Sequence, residues 1–555
     1  MSEKTVKVTY NRLEVKEFPI GTTLKQISKS FQHHYGYEIL VAKVDNDITE
    51  LCDVVTKKCT VDFYDRSSSL GYNAYVTSAT FMMIVAVRRL YGDEIEVIVD
   101  HSMDKGVFCR IEDIEITDEV IDEIEREMRK ISREDHLFKK LSVSRADAIK
   151  FYKKKNQEDK VNVLKYISNT YINLYKLDDV YDYYYTKMVY STRQINDFKI
   201  AKINERGFVL SFPTILNPEC TLDYHHHKKV FEAFQEYGKL SIQLNLQMAA
   251  DLNKVVSNAK IDELIRLSES YYNTQLVQIA ENIYDNRKKV KLVLLAGPSS
   301  SGKTTTAKKL MTFLKSRGVN VIQLSTDDYF VNKEDTPKNE KGEFDFESLY
   351  TVDLDLFNKH LMMLLEGSRV EIPSYNFVKG KREYHKNFVK LQEDDIVIIE
   401  GIHALNDLLT MSIDRINKYK LYISPLVQLN IDNHSHVHTS DVRRLRRIIR
   451  DSKTRGYGAS QTLAMWASIE RGEQQNIYPF QDEVDVVINS SLIYEIGVLK
   501  TYVEPLLFCV NEDDPVYPEA LRLINFLRNF LPIPSDDIPP DSVLREFIGG
   551  SCFKH

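Results

Sequence analysis

The sequence has few cysteines and no long apolar run, and both features exclude classes of protein. Its six cysteines are scattered over 555 residues without a C-x-x-C pair. A disulfide framework or a zinc site is therefore not expected, and free thiols suit the reducing cytoplasm. The longest apolar run near a helix, residues 79–87, is too short to cross a bilayer, and the first ten residues lack the basic and apolar pattern of a secretory leader. These features predict a cytoplasmic protein that does not associate with membranes.

Neither sign of charge is in large excess. The 74 basic and 81 acidic residues give a net charge of −7, which provides no general attraction to nucleic acid, although a local basic patch stays compatible with it. Hydrophobic residues make up 43% and charged residues 28% of the chain, as in ordinary globular proteins. Because 555 residues exceed what one hydrophobic core holds, several domains are expected.

The N-terminal half is predicted to contain two domains. Over residues 1–65, polar and apolar residues alternate in short strands around one helix at 24–34, which is typical of a compact β-grasp module. Residues 66–240 mix strand and helix patterns and include an apolar helix over 77–91. Residues 241–289 are mostly helical, and we expect a connector there and not part of a core.

The pattern changes after Lys291. The apolar strands KLVLLA, NVIQLS, DIVIIEG and VDVVIN alternate with helical segments, which predicts a parallel sheet wrapped by helices over residues 290–500. Residues 501–555 contain a helix and a proline-rich tail, and the prolines predict an irregular wrap over the surface. The predicted fold class is a multidomain protein, α+β in its first half and α/β in its second.

A phosphate-binding loop lies between the strand KLVLLA and a helical segment. The sequence GPSSSGKT fits G-x-x-x-x-G-K-[ST] at every fixed position. The glycines let backbone amides turn onto phosphate oxygens, and the start of the helix adds positive potential. Lys303 then reaches the β- and γ-phosphates, and the Thr304 hydroxyl is a magnesium ligand. The predicted nucleotide-binding residues are Gly297, Pro298, Ser299, Ser300, Ser301, Gly302, Lys303, Thr304 and Thr305.

Carboxylates follow two other predicted strands. Asp327 follows NVIQLS, at the strand end where an acid can accept a proton from an attacking hydroxyl. Glu400 ends DIVIIE, where a carboxylate orders magnesium or its waters. Solvated strand-end carboxylates are the alternative for both. The N-K-x-D tetrapeptide at 332–335 follows the phosphate loop too early for guanine recognition, and we interpret it as a solvated loop.

Six arginines occupy one predicted helical stretch: Arg443, Arg444, Arg446, Arg447, Arg450 and Arg455. Three of them, Arg443, Arg447 and Arg450, share a helix face by their spacing. Guanidinium groups match the charge spread over a transferring phosphoryl group. A solvated basic helix is the alternative interpretation.

The order of these motifs carries a resemblance. A P-loop, then D-x-[FY]-[FY], F-D, I-P-x-Y-x-F, a strand ending in E-G and an arginine-rich lid follow one another over about residues 291–495. This order resembles the uridine kinase and phosphoribulokinase family, which implies transfer of the ATP γ-phosphoryl group, with Mg²⁺, to a nucleoside 5′-hydroxyl. By that likeness Asp327 is the base, Asp345 holds the ribose hydroxyls and Tyr375 lines the nucleoside pocket. The implied catalytic residues are Asp327, Lys303, Arg446 and Arg447; the implied substrate residues are Asp327, Tyr329, Asp345, Tyr375, Arg382 and Arg443; Arg450 and Arg455 join the nucleotide contacts, and Thr304 and Glu400 hold the metal.

Two departures from the family pattern affect the acceptor. Phe346 and Glu347 stand where uridine kinases have His-Pro, and Gly380 stands where they have a base-reading histidine. Phosphoryl transfer is expected to survive, while the choice of pyrimidine stays open. The basic residues Lys379, Lys381 and Arg382 suit an anionic acceptor such as a sugar phosphate, which is the second hypothesis.

The first half carries a weaker resemblance. Residues 6–65 resemble a TGS domain, and residues 75–239 resemble the editing-type domain of threonyl-tRNA synthetase. Where that domain has its metal ligands, this chain has Thr77, Phe81, Tyr184 and Met188, which do not form a zinc site, so editing chemistry is not expected. Consecutive histidines point in different directions, so we interpret the cluster at 225–227 as surface histidines. A nucleotide-dependent RNA-binding or regulatory protein is the third hypothesis, and assembly of identical chains is left open.

Overall fold

The structure, a computed structural model, describes residues 4–338, 342, 344–376 and 379–553. Residues 1–3, at the start of the stretch that lacks a leader pattern, lie outside the described residues. Its first elements are β1 (Thr5–Tyr10), β2 (Glu14–Pro19), α1 (Leu24–Lys29), β3 (Ile39–Val44), β4 (Asp47–Glu50) and β5 (Cys59–Asp65). They form one sheet in the order β2-β1-β5-β3-β4, in which only the β1–β5 pair is parallel. Thr23 and Gln26 cap α1 reciprocally. The mixed sheet with its helix confirms the predicted β-grasp module.

The second domain is built around one long apolar helix. Its elements are α2 (Ser69–Tyr91), β6 (Val97–Met103), β7 (Gly106–Ile111), α3 (Asp118–Glu134), β8 (Lys139–Ser144), α4 (Arg145–Lys154), α5 (Glu158–Tyr166), β9 (Tyr171–Leu177), β10 (Val180–Tyr183), β11 (Lys199–Asn204) and β12 (Gly207–Ser211). Two sheets have the orders β10-β9-β8 and β11-β12-β7-β6. Among the described residues, α2 is the one helix long and apolar enough to cross a membrane by composition, but 83% of its apolar window is buried inside the protein. It therefore packs as a core helix.

Three helices join the two halves: α6 (Lys228–Gln243), α7 (Ala249–Ser257) and α8 (Ile261–Asp285). The prediction of a connector outside any core is wrong for α8. Its Leu276, Ile279 and Ile283 are buried in the same cluster as Leu310 of the helix that follows the phosphate loop. Its amphipathic pattern reflects this packing, which the sequence alone could not assign to a partner.

The C-terminal half contains the predicted parallel sheet. Its strands and helices are β13 (Leu292–Ala296), α9 (Lys303–Ser316), β14 (Val321–Ser325), α10 (Leu354–Leu365), β15 (Val370–Glu371), β16 (Ser374–Asn376), β17 (Lys381–Glu383), β18 (Phe388–Val389), β19 (Ile396–Glu400), β20 (Lys418–Ser424), α11 (Thr439–Thr454), α12 (Ala459–Ala464), α13 (Trp466–Asn476), β21 (Val486–Asn489) and α14 (Glu495–Phe508). Five strands pair in the order β14-β19-β13-β20-β21, all parallel. Both β13 and β19 are buried along their whole length. The carboxyl ends of β13, β14 and β19 therefore lie side by side at one edge of the sheet.

The last segment includes α15 (Tyr517–Leu527) and α16 (Arg545–Ile548). The prediction that this tail wraps irregularly over the surface is wrong. Apolar residues spaced between and beyond the prolines are at most 2% exposed, namely Ile533, Ile538, Val543, Leu544 and Phe547. The prolines do prevent regular structure, but the apolar side chains between them pack into the core beside the phosphate loop.

Candidate active site

The loop at residues 297–302 joins β13 to α9 in the geometry that the motif predicts. Gly302 has a φ of +90°, a left-handed conformation that favours glycine. A side chain at Gly297 would also collide, because its Cβ would lie 2.1 Å from the Ile423 carbonyl oxygen. The two glycines therefore allow the sharp turn that aims the loop amides inward.

Lys303 and two carboxylates meet at the edge of the sheet. The Lys303 ammonium donates to the carbonyls of Gly297 at 2.9 Å and Pro298 at 3.1 Å. Burial lowers the pKa of Lys303, while the nearby Glu400 and Asp327 charges oppose that shift. Burial raises the pKa of Glu400 to about 7, and the Asp327 charge acts in the same direction. The two acids and the lysine thus share one enclosed site.

The Thr304 hydroxyl lies in the same site. Its Oγ1 donates to Glu400 Oε1 at 3.4 Å. A hydroxyl and a carboxylate are oxygen donors of the kind that Mg²⁺ prefers. The residues present therefore fit the predicted metal.

In the turn after β14, Asp327, Asp328 and Tyr329 have three different environments. Asp327 faces the charges of Lys303 and Glu400. Burial raises the pKa of its neighbour Asp328 to about 6, and Asp328 accepts from the Tyr375 amide at 3.4 Å. Tyr329 is fully buried against the Phe357 ring, with centroids 4.8 Å apart. The Tyr329 hydroxyl lies 3.3 Å from His360 Nδ1, and its contact with substrate stays a prediction.

The predicted acceptor residues lie on β16, β17 and the preceding loop. Tyr375 pairs with Arg382 across the β16–β17 hairpin, and its half-buried ring packs edge-on against Phe330. The Arg382 guanidinium donates twice to Asp353 Oδ2 at 3.0 Å. Asp345 is partly exposed and accepts from the amide two residues later, at 3.2 Å. The phenylalanine of the I-P-x-Y-x-F motif, at position 377, lies outside the described residues.

The arginine helix α11 divides into two groups. Arg443 and Arg446 are at most 2% exposed and form ion pairs with Glu473 at 2.6 Å and Glu495 at 2.7 Å. Arg443 also donates to the Ser299 carbonyl at 3.2 Å. Both side chains contact the phosphate loop, since Arg446 donates to the Ser300 carbonyl at 3.3 Å, and the predicted substrate role of Arg443 and catalytic role of Arg446 stay predictions. Helical spacing shows which arginines share a face of α11. It does not show that the charges of Arg443 and Arg446 are neutralised by glutamates elsewhere in the chain.

The second group of arginines lies beside the loop. Arg447 and Arg450 donate to Asp451 at 3.1 Å and 2.9 Å, and Arg455 lies 3.7 Å from it. Arg447 also donates to the Ser299 hydroxyl. Burial, with the Arg450 charge, lowers the pKa of Arg455 to about 10. Three guanidinium groups around one carboxylate leave excess positive charge, which suits a phosphate.

Glu347, which departs from the family pattern, also lies in the site. It packs against α13, because a Cβ added at Gly472 would lie only 2.4 Å from the Glu347 Cβ. Burial raises the pKa of Glu347 to about 7, the Glu473 charge adds to the shift, and Arg447 opposes it. The adjacent Phe346 is 45% exposed. The departure therefore adds an acid, Glu347, where uridine kinases have proline, and puts the Phe346 ring where they have histidine.

Two glutamates that the sequence analysis missed bind amides at the phosphate loop. Glu473 Oε1 accepts from the Ser299 amide at 2.9 Å. Glu546 Oε2, on α16, accepts from the Thr305 amide at 3.1 Å and from its hydroxyl at 2.7 Å. Carboxylate oxygens thus stand where the loop would offer donors to phosphate oxygens. No local motif marks either glutamate, since each lies more than 170 residues away in sequence.

In the second domain, the four positions compared with editing ligands lie close together. The Phe81 and Tyr184 rings are 5.5 Å apart. Thr77 bonds to the Thr186 hydroxyl at 2.9 Å, and Met188 lies 3.2 Å from the Ser78 hydroxyl. Aromatic, thioether and hydroxyl groups therefore occupy this position in the fold.

Both halves of the chain are similar in sequence to known proteins. The sequence profile of the phosphoribulokinase / uridine kinase family matches residues 292–492. A uridine kinase of Bacillus pumilus is 29% identical over 203 residues, covering 36% of this chain and 87% of that enzyme. One from Staphylococcus aureus is 28% identical over 224 residues, covering 40% and 98%.

A threonine–tRNA ligase of Clostridium novyi is 25% identical over 252 residues, or 43% of this chain. The match spans only 39% of the ligase's length. Residues 292–492 therefore match the phosphoribulokinase / uridine kinase family, whose P-loop kinases imply the use of ATP, and the N-terminal region is similar to threonine–tRNA ligases.

Proposed function

We propose that this protein transfers the γ-phosphoryl group of ATP to the 5′-hydroxyl of a nucleoside. The observation that carries the proposal is the meeting of Lys303, Thr304, Asp327 and Glu400 beside the phosphate loop. This arrangement provides a cation for phosphate, two oxygen donors for magnesium and an acid near both. The relatives named uridine kinases support the choice of acceptor class.

Each residue has a defined task in this reaction. Lys303 exchanges its bonds to the loop carbonyls for bonds to the β- and γ-phosphates. Asp327 accepts the proton of the acceptor hydroxyl as the new oxygen–phosphorus bond forms and the bond to the β-phosphate breaks, which releases ADP. Thr304 and Glu400 would hold Mg²⁺, which neutralises phosphate charge when bound. Arg447 and its neighbours Arg450 and Arg455 stabilise the charge on the transferring group.

The pairing of basic residues favours a neutral acceptor over a sugar phosphate. Arg382 is bound to Asp353 at 3.0 Å, and Lys379 is bound to Glu383 at 2.8 Å. An anionic acceptor would have to break these pairs to use their charge. A nucleoside needs only Asp345 for its ribose hydroxyls and Tyr375 to line its pocket.

The test is ADP formation by the full-length protein with Mg-ATP and a panel of nucleosides, with ribulose 5-phosphate as the anionic acceptor. Lys303→Ala is expected to abolish the activity, whereas Lys315→Ala, at an exposed position near the end of the same helix, is expected to keep it. Turnover with a nucleoside and not with the sugar phosphate supports the proposal. ADP formation that ignores every acceptor and responds to RNA would contradict it and favour an RNA-dependent regulator.

A further inference from the structure

Two of the three consecutive histidines converge on one carboxylate. Residues 221–227 form a segment without helix or strand that leads into α6. His225 Nε2 lies 2.8 Å from Asp482 Oδ2, and His227 Nδ1 lies 3.1 Å from Asp482 Oδ1. His226 points elsewhere and bonds to the Tyr224 hydroxyl at 3.1 Å. The prediction that these histidines point in different directions holds for His226 and each of its neighbours, but His225 and His227 contact the same carboxylate.

We propose that His225, His227 and Asp482 bind a divalent transition-metal cation of the zinc class. The three ligand atoms all lie within 4.8 Å of one another. A tetrahedral zinc ion with bonds of about 2.0–2.1 Å holds its ligand atoms about 3.3 Å apart, and Asp482 Oδ2 lies 2.8 Å from His225 Nε2 and 3.2 Å from His227 Nδ1. Two imidazoles and one carboxylate favour zinc, cobalt, nickel or iron over magnesium and calcium, which prefer oxygen alone.

The surroundings allow an ion to enter and hold the ligands in place. The side chains of His225 and Asp482 are 65% and 42% exposed, whereas that of His227 is 12% exposed. The His225 amide donates to Asp104 Oδ2 at 3.2 Å, which ties residues 221–227 to the second domain. Both histidines line a cavity of about 640 Å³ between the second domain and the kinase domain. Three protein ligands leave a coordination position open toward this cavity for water.

The ion would join the two halves of the chain close to the active site. His225 and His227 belong to the segment that leaves the second domain, and Asp482 belongs to the turn after α13 in the kinase domain. In that turn, the Tyr478 hydroxyl donates to Glu473 Oε2 at 3.4 Å, and Glu473 accepts from the Ser299 amide. The site therefore acts as a metal clamp between the N-terminal half and a residue that touches the phosphate loop.

The test measures metal binding by the full-length protein after treatment with a chelator. Titration with Zn²⁺, and with Co²⁺ read by visible absorption, is expected to give one tight site. His225→Ala and Asp482→Asn are expected to weaken this site by at least tenfold. His226→Ala is the matched control, because it removes an adjacent histidine that faces away, and it is expected to bind as the wild type does.

Several outcomes would overturn the proposal. The absence of tight Zn²⁺ binding to the wild type would show that the cluster is only a hydrogen-bonded pair of histidines on an aspartate. Unchanged binding in His225→Ala would place the ion elsewhere. Cys220→Ser tests the nearby exposed thiol, and loss of binding there would assign the ion to a different ligand set. Zn²⁺ should also raise the thermal midpoint of the wild type and of His226→Ala but not that of Asp482→Asn, and none of these readouts depends on kinase activity.

Discussion

Glu546 is expected to compete with nucleotide for the phosphate loop, and Glu546→Gln tests this. The Glu546 carboxylate takes the Thr305 amide and hydroxyl at 3.1 Å and 2.7 Å. These donors lie at the start of α9, where P-loop backbone amides bind the nucleotide phosphates. The tail keeps the acid in place, because Val543 packs on the loop and the Phe547 ring lies 5.0 Å from the Arg446 guanidinium. A nucleotide that takes the Thr305 amide must therefore displace Glu546.

The size of the effect follows from the bonds that are lost. A hydrogen bond to a charged group contributes about 1.5–3 kcal/mol, and solvent lowers this value because Glu546 is only partly buried. Glutamine keeps the shape but removes the charge, so ATP should regain about 1–2 kcal/mol, a factor of about 5–30 in the dissociation constant.

The assay is calorimetric titration of the full-length protein with Mg-ATP, AMP and adenosine. Glu546→Gln is expected to bind ATP and AMP more tightly than the wild type and adenosine equally, because adenosine carries no phosphate. Glu512→Gln, at an exposed glutamate between α14 and α15, controls for net charge. Equal or weaker ATP binding by Glu546→Gln would refute the reasoning and would make the carboxylate part of the nucleotide site.

Three further effects are expected. Asp327→Asn should keep ATP binding but lose about 10²–10⁴-fold in turnover, measured by ADP release; an active variant would remove the base assignment. Arg446→Met should lower the free energy of unfolding by about 3–5 kcal/mol, because it leaves Glu495 buried and unpaired; a small change in urea denaturation would contradict this. Burial lowers the pKa of His403 to about 4, so the unfolded state, with a histidine pKa of about 6.5, binds more protons between these values and stability falls as pH decreases below about 6.5. His403 should contribute about 2 kcal/mol of lost stability from pH 7 to pH 5, which His403→Gln removes and the exposed control His385→Gln retains; equal pH dependence in both variants would contradict the assignment.

The parts of the site that could be predicted from the sequence are those formed by neighbours in the chain. The phosphate loop, Asp327 and Glu400 each follow an apolar strand, and parallel strands bring their ends together at one edge. The P-loop pattern is also constrained by glycine sterics at positions 297 and 302.

The parts that could not be predicted depend on distant partners. The family resemblance gave Arg446 a catalytic role, whereas its partner Glu495 carries no motif, and only the fold shows that the two side chains are buried together. The tail was misassigned for the same reason. The prolines of residues 531–540 correctly predict an irregular backbone. The position of Glu546, however, depends on its contact with Thr305, 241 residues away in sequence. The convergence of His225 and His227 likewise depends on Asp482, which lies about 255 residues away in sequence.

The packing of α8 and of the tail shows that the part of the chain that folds together is longer than the part that matches the kinase family. The family profile ends at residue 492 and begins at residue 292, yet Tyr272 lies before it and bonds to the Thr306 hydroxyl at 2.5 Å. Val543 and Phe547 lie after it and are at most 1% exposed. A fragment cut at the family boundaries would expose these apolar faces to water. Expression of the kinase domain alone should therefore start before α8 and include α16.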